Sequence, residues 1–215
     1  MATNKNPTRI RYNRIAFFYD LMEAPLEHLR FASWRRMIRD KIKGSTALEV
    51  GVGTGKNLDY YPEGINITAV DLSPKMLKRA QKRSGMLGLN VRLLEMDVQC
   101  LAFPDNCFDT VFAAFVFCSV PDPVQGLREL HRVCKPEGRL VVLEHVRPDS
   151  KLLGIFFDVL NPLVVRMMGA NINRRTIDNI SEAGWQIQTD KKLSWDIVRL
   201  IEATPLRMKG QYQIR

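Results

Sequence analysis

The chain has 215 residues, 46% hydrophobic and 26% charged, with a formal net charge of +9. These are the proportions of an ordinary soluble globular protein, long enough for one domain with a real core. A transmembrane span is excluded: the best candidate, Leu152 to Gly169, is interrupted by Asp158, Asn161, Pro162 and Arg166, short of the roughly 18 uninterrupted apolar residues that a span needs. Six of the nine positive charges fall in residues 1–43, where ten Lys/Arg meet four acids. That end suits an anionic partner, phospholipid or nucleic acid, or else a solvated face.

In chain order, Pro25 to Ile42 carries Leu26, Leu29, Trp34, Met37, Ile38 and Ile42 near one helical face, with Arg30, Arg35, Arg36 and Arg39 mostly elsewhere. Gly44 stops that helix. Thr46–Val50 reads as a buried strand, Lys56–Tyr61 as the start of a helix and Ile65–Val70 as a second strand. Ser73-Pro74 is an N-cap with proline at the first helical position. Val91–Glu95, Thr110–Phe117 and Arg139–His145 follow as strands, with a helix opened by Asp122 between the last two. Residues 150–183 read as helical, and Trp185–Thr189 and Trp195–Ile201 as closing strands. This rhythm predicts a parallel sheet with helices on both faces.

The four cysteines, Cys100, Cys107, Cys118 and Cys134, form no C-x-x-C pair and no zinc-ligand spacing with histidine. No metal is expected. With no signal-peptide pattern, free thiols in a reducing cytoplasm are expected.

The stretch Leu48-Glu49-Val50-Gly51-Val52-Gly53-Thr54-Gly55 places three glycines after the first strand, where ligands bind in open α/β sheets. A P-loop spacing is absent, and Lys56 stands where a dinucleotide fingerprint needs its third glycine. Asp71, twenty positions after Gly51, is placed to accept both ribose hydroxyls of an adenosine. Asp97, after the third strand, is placed to receive an adenine amine. Together they describe an adenosine-type ligand with no required phosphate.

With Val70–Leu77, Met96–Val98, Phe103–Asp109 and Arg128–Gly138 following in order, the chain resembles the class I S-adenosylmethionine-dependent methyltransferases. The likeness is to their type 11 subgroup, which includes ubiquinone/menaquinone C-methyltransferases and bacterial phosphatidylethanolamine N-methyltransferases. The resemblance implies a Rossmann-like fold with a seven-stranded, mostly parallel sheet. It also implies S-adenosylmethionine as cofactor, leaving as S-adenosylhomocysteine. Cofactor contacts are implied at Tyr12, Glu49, Gly51, Gly53, Thr54, Gly55, Asp71, Leu72, Met76, Asp97, Val98 and Ala114. Residues 11–20 are similar to the subgroup's entry segment, so Tyr12 and Tyr19 are expected in a lid.

The expected layout is one domain: a helical lid over 1–43, a cofactor core over 44–146, a substrate-side insertion over 147–183 and terminal strands over 184–215. Tyr19 and His145 are candidate proton acceptors, and Asn171, Asn173 and Arg174 candidate substrate contacts. A buried, inert thiol is expected at Cys118. The greasy stretch 151–160 reads equally as a core helix with a dimer face or as an apolar wall or membrane-resting surface for a lipophilic acceptor. The expected acceptor is a phospholipid headgroup, a quinone precursor or a thiol. The expected location is the cytoplasm, with peripheral contact at the inner membrane face. Residues after strand four lack the motifs of DNA methyltransferases, so DNA is not expected. RNA methylation and cofactor binding without turnover are the alternatives from other classes.

Overall fold

The computed structural model describes residues 6–16, 30–194 and 196–206. Tyr19, the front of the predicted 25–42 helix and the predicted strand start at Trp195 lie outside them. The helices are α1 (Pro7–Ile15), α2 (Ala32–Lys41), α3 (Pro74–Met86), α4 (Pro123–Val133), α5 (Lys151–Met168) and α6 (Thr176–Glu182). The strands are β1 (Thr46–Val50), β2 (Asn66–Asp71), β3 (Arg92–Glu95), β4 (Phe108–Ala114), β5 (Cys134–His145), β6 (Trp185–Ser194) and β7 (Val198–Pro205). They form one seven-stranded sheet in the order β3-β2-β1-β4-β5-β7-β6. The first five strands run parallel and β7 pairs antiparallel with both β5 and β6. This strand order, with β7 antiparallel, is the Rossmann-like arrangement that the resemblance implies.

Alternation along the strands builds a core on each face. Leu48, Val111, Leu140 and Val142 pack with Leu127 and Leu130 of α4 and Ile180 of α6. Their neighbours Ala47, Phe112, Val141 and Leu143 pack with Trp34 and Ile38 of α2 on the other side. Caps fall where sequence placed them: Ser73 Oγ accepts from Met76 N and Asp122 Oδ1 from Gln125 N.

The structure departs from expectation at several places, among them β6 and β7, which run on to Ser194 and Pro205. Residues 58–60 make only a single 3-10 turn, because Asn57 is drawn inward by side-chain hydrogen bonds to Glu49 and Arg35. Strand β4 stops at Ala114, since Phe115 takes φ +58° and leaves the extended region. Strand β5 begins earlier, at Cys134, with 135–138 displaced between the Phe108–Cys134 and Thr110–Arg139 pairs. Arg35, expected away from the apolar face of α2, is only 6% exposed, and its Nη1 donates to Asn57 Oδ1 at 2.6 Å. Among the described residues no helix is long and apolar enough to cross a membrane.

Candidate active site

A cavity opens at the carboxyl ends of β1, β2 and β4, where the order of connection reverses. The turn after β1 supplies Gly51 and Gly53, the end of β2 supplies Asp71 and Leu72, and the segment after β3 supplies Met96 to Val98. Ala114 to Val116 and Ser119 to Pro121 form the far wall. Helix α1 lies across the opening and is tied down at several points. Thr8 Oγ1 donates to Ser119 O at 3.3 Å, Tyr12 Oη lies 2.6 Å from Ser119 Oγ, and Arg9 pairs with Glu95 at 2.6 Å. Ser73 Oγ lies 2.7 Å from Asn13 Oδ1.

Asp71 shapes the cavity floor. Its Oδ2 accepts from Gly53 N at 2.9 Å and its Oδ1 from Ser73 N at 2.8 Å. Burial pushes this carboxyl up to about 6, against those N–H donors, so further donors from a ligand are welcome there. At Gly53, with φ +57°, an added Cβ would meet nothing nearer than Gly51 O at 4.0 Å. That open space admits a ligand to the backbone. Gly55 serves differently: a Cβ there would fall 2.6 Å from Leu58 Cδ1 and 3.1 Å from Ala80 Cα. It allows α3 to approach the turn closely, and it is on the lining of neither this cavity nor the smaller one adjoining it.

A smaller cavity adjoins the first at Gly51, Gly53, Ala114 and Phe115, and is lined also by Arg35, Glu49 and Thr54. Glu49 accepts from Asn57 Nδ2 at 2.6 Å and from Tyr61 Oη. Burial nevertheless raises its carboxyl to about 7. A cationic ammonium brought here would meet a carboxylate that lacks full solvation.

Phe115 lines both cavities from a left-handed backbone conformation costing roughly 1–2 kcal/mol. Phe31 at 5.1 Å and His145 at 4.7 Å between ring centroids hold it. The turn beyond it is fixed by Glu144, whose Oε1 accepts from Val116 N at 2.5 Å and Phe117 N at 2.7 Å. Sequence reasoning missed Phe115, Ser119, Arg35 and the buried role of Glu144. The odd Phe-Val-Phe run after β4 was the available signal only for the first.

Of the expected cofactor contacts, Tyr12, Gly51, Gly53, Asp71, Leu72, Met76, Asp97, Val98 and Ala114 are brought to the main cavity, and Glu49 and Thr54 to the smaller one. Asp97 spends Oδ1 on Gln99 N at 3.0 Å and keeps Oδ2 near Asn6 Nδ2 at 3.3 Å. His145 is not on either wall: it stands behind Phe115, and burial lowers its pKa to about 4. The three expected substrate contacts also lie off the cavity, because each is engaged as a loop staple. Asn171 donates through N and Nδ2 to Cys118 O at 2.8 and 3.1 Å, Asn173 Nδ2 to Asp158 Oδ1 at 3.0 Å, and Arg174 Nη2 to Val120 O at 2.7 Å. Cys118 is buried, and burial beside Glu144 raises its thiol well above the ordinary range.

A family model described as a methyltransferase domain matches residues 48–142. The chain is 34% identical over 168 residues to a demethylmenaquinone methyltransferase of Thermus thermophilus, covering 75% of this chain and 76% of that one. It is 40% identical over 110 residues to a phosphatidylethanolamine N-methyltransferase of Cereibacter sphaeroides, a match that spans 50% of this chain and 54% of the relative. A solved methyltransferase structure from Aquifex aeolicus superposes with a TM-score of 0.62 over 80% of this chain and 89% of its own, at 22% identity, which shows the shared fold.

Proposed function

The chain belongs to the S-adenosylmethionine-dependent methyltransferases, and from that premise we propose that its acceptor is a lipophilic or membrane-associated molecule: a phospholipid headgroup amine, a quinone precursor or a thiol. The observation that carries this reading is the orientation of α5. A surface helix ordinarily turns its apolar side inward. In α5, Leu153, Phe157 and Leu160 are half-buried, and Asp158 and Asn161 bond Arg147 and Asn173, and Asn171 and Ile172 N, respectively. Leu152, Ile155, Phe156, Val159 and Leu163 face outward and are 56–84% exposed. The helix is joined to the cavity wall through the run Asn161, Asn171, Cys118 O, and it ends at Gly169 against Arg11 of α1. An apolar strip thus lies beside the site's cover, suited to a membrane interface. The relatives that act on a quinone precursor and on phosphatidylethanolamine support the same class.

Bound S-adenosylmethionine would supply a methyl carbon activated by its sulfonium for transfer to the acceptor's electron pair, leaving as S-adenosylhomocysteine, and a carbon or thiol acceptor would also have to release its proton to solvent. The chain's part is to hold the partners in line and exclude water. Asp71 would accept the ribose hydroxyls, Asp97 would receive the adenine amine, and Leu72, Met76 and Val98 would enclose the ring. Glu49, on the smaller cavity, would face the aminoacyl end. Tyr12 and Ser119 offer a linked hydroxyl pair where the acceptor enters. Burial holds the Tyr12 phenol well above its ordinary pKa, so it stays protonated and orients rather than abstracts. An amine acceptor, attacking through its lone pair, needs no base in that step.

The test gives the full chain methyl-labelled S-adenosylmethionine with phosphatidylethanolamine vesicles or a demethylated quinone, then partitions the products. Label in the organic phase is expected for one of the two. Label confined to water-soluble product, RNA or protein contradicts the reading.

A further inference from the structure

The outward face of α5 carries charge of one sign as well as apolar area. Its exposed apolar residues share that face with Lys151, Pro162 and Arg166, which are also exposed. At roughly 3.6 residues per turn all of them fall within an arc of about 140°. Lys151 opens the helix and Arg166 stands in its last turn. No acid lies within the arc, and Asp158 at its edge is paired with Arg147 at 2.9 Å. A face turned to water ordinarily mixes charges of both signs and few large apolar residues. Apolar area flanked by cations alone is the composition of a helix lying in a membrane interface.

The helix across the cleft repeats the pattern. Pro7, Ile10 and Arg14 of α1 are exposed at spacings of three and four, along one side. Ile10 is 46% exposed, and α1 holds arginines at 9, 11 and 14 with no acid. The two helices adjoin at Gly169, where an added Cβ would strike the Arg11 side chain.

The sign of the charge decides between occupants. A second copy laid antiparallel on α5 would set Lys151 beside Arg166, and a parallel copy would pair each with itself. Both arrangements oppose like charges. An anionic bilayer complements the face throughout, its acyl boundary taking the apolar residues and its phosphates the cations. We propose, resting on the reading of the acceptor as lipophilic or membrane-associated, that α5 and α1 together dock on an anionic phospholipid surface. Phe156, Val159 and Ile10 enter the interface, and Lys151, Arg166 and Arg14 meet lipid phosphates. Docking on these two helices brings the mouth of the cleft to the bilayer.

The test co-sediments the full chain with vesicles of phosphatidylcholine alone and of phosphatidylcholine mixed with phosphatidylglycerol. Binding at least about tenfold tighter to the anionic vesicles is expected, and it weakens as salt is raised. Arg14→Gln with Arg166→Gln reduces it about tenfold or more, at about fivefold per cation near an anionic surface. Lys43→Gln with Lys82→Gln removes the same net charge at exposed positions ahead of β1 and in the second half of α3. That pair reduces binding less than about threefold, because charges beyond a Debye length of about 10 Å are screened. Equal binding to the two vesicle types, binding to neither, or equal losses in the two double variants overturns the proposal. A concentration-dependent dimer that Phe156→Asp dissociates assigns the face to a second copy and overturns it as well. The acceptor reading is scored separately, by label reaching an organic-phase product when the acceptor is dispersed in neutral detergent, so either can fail alone.

Discussion

Replacing Glu144 by glutamine tests how the wall of the cleft is held. Glu144 is fully buried; one oxygen accepts two backbone N–H groups and Oε2 has no partner. Burial raises this carboxyl from 4.5 to about 7. The folded state therefore binds the proton more tightly than the unfolded chain does. Below the unfolded pKa both states are protonated and nothing is lost. Between 4.5 and about 7 the unfolded chain releases its proton first, so stability falls as pH rises, by about 3 kcal/mol at 1.36 kcal/mol per unit. Glutamine keeps an oxygen for Val116 N and Phe117 N and cannot ionise. Urea unfolding of both proteins at acidic and mildly alkaline pH supplies the comparison. The glutamine variant should gain about 3 kcal/mol on the wild type across that window. Glu49 and Asp71 titrate in both proteins and cancel in the difference. A pH-independent difference, or a variant that loses ground as pH rises, would mean that the folded protein stabilises the ionised carboxylate, and would refute the reasoning.

Two glycines of the turn after β1 should separate binding from folding. Gly53→Ala adds a methyl toward open space at a positive φ, costing roughly 1–2 kcal/mol of strain, and should weaken S-adenosylhomocysteine binding at least about tenfold. Gly55→Ala drives a methyl into Leu58 and Ala80, and should cost roughly 2–5 kcal/mol of stability by denaturant melt while the folded fraction binds within about threefold of wild type. Phe156→Asp combined with Val159→Asp, both exposed on α5, should abolish vesicle co-sedimentation and shift stability by less than about 0.5 kcal/mol. Retained co-sedimentation would remove α5 from the membrane reading.

The parts legible in sequence were those written locally. The short apolar runs of β1 and β2, the Ser73 and Asp122 caps, and the spacing from Gly51 to Asp71 and Asp97 all act through neighbouring backbone. What stayed hidden depends on chain segments far apart. Arg35 looks like a solvated charge until Asn57 is folded against it. His145 ends a strand as a site residue would, yet the conformation of Phe115 places an aromatic ring in front of it. Asn171, Asn173 and Arg174 have the chemistry of substrate contacts, and the carbonyls and carboxylate they meet lie 15–54 residues away. Composition marked 151–160 as apolar, but that Leu152, Ile155, Phe156 and Val159 stay exposed while Leu153, Phe157 and Leu160 are half-buried depends on how the helix docks.

Calorimetric titration of S-adenosylhomocysteine into the full chain and into Asp71→Ala tests the central claim most directly. One saturable site in the wild type is predicted, with binding lost in the variant because the ribose acceptor and the bond to Gly53 N vanish together. Near-wild-type affinity in a folded Asp71→Ala protein would contradict the assignment of the cleft.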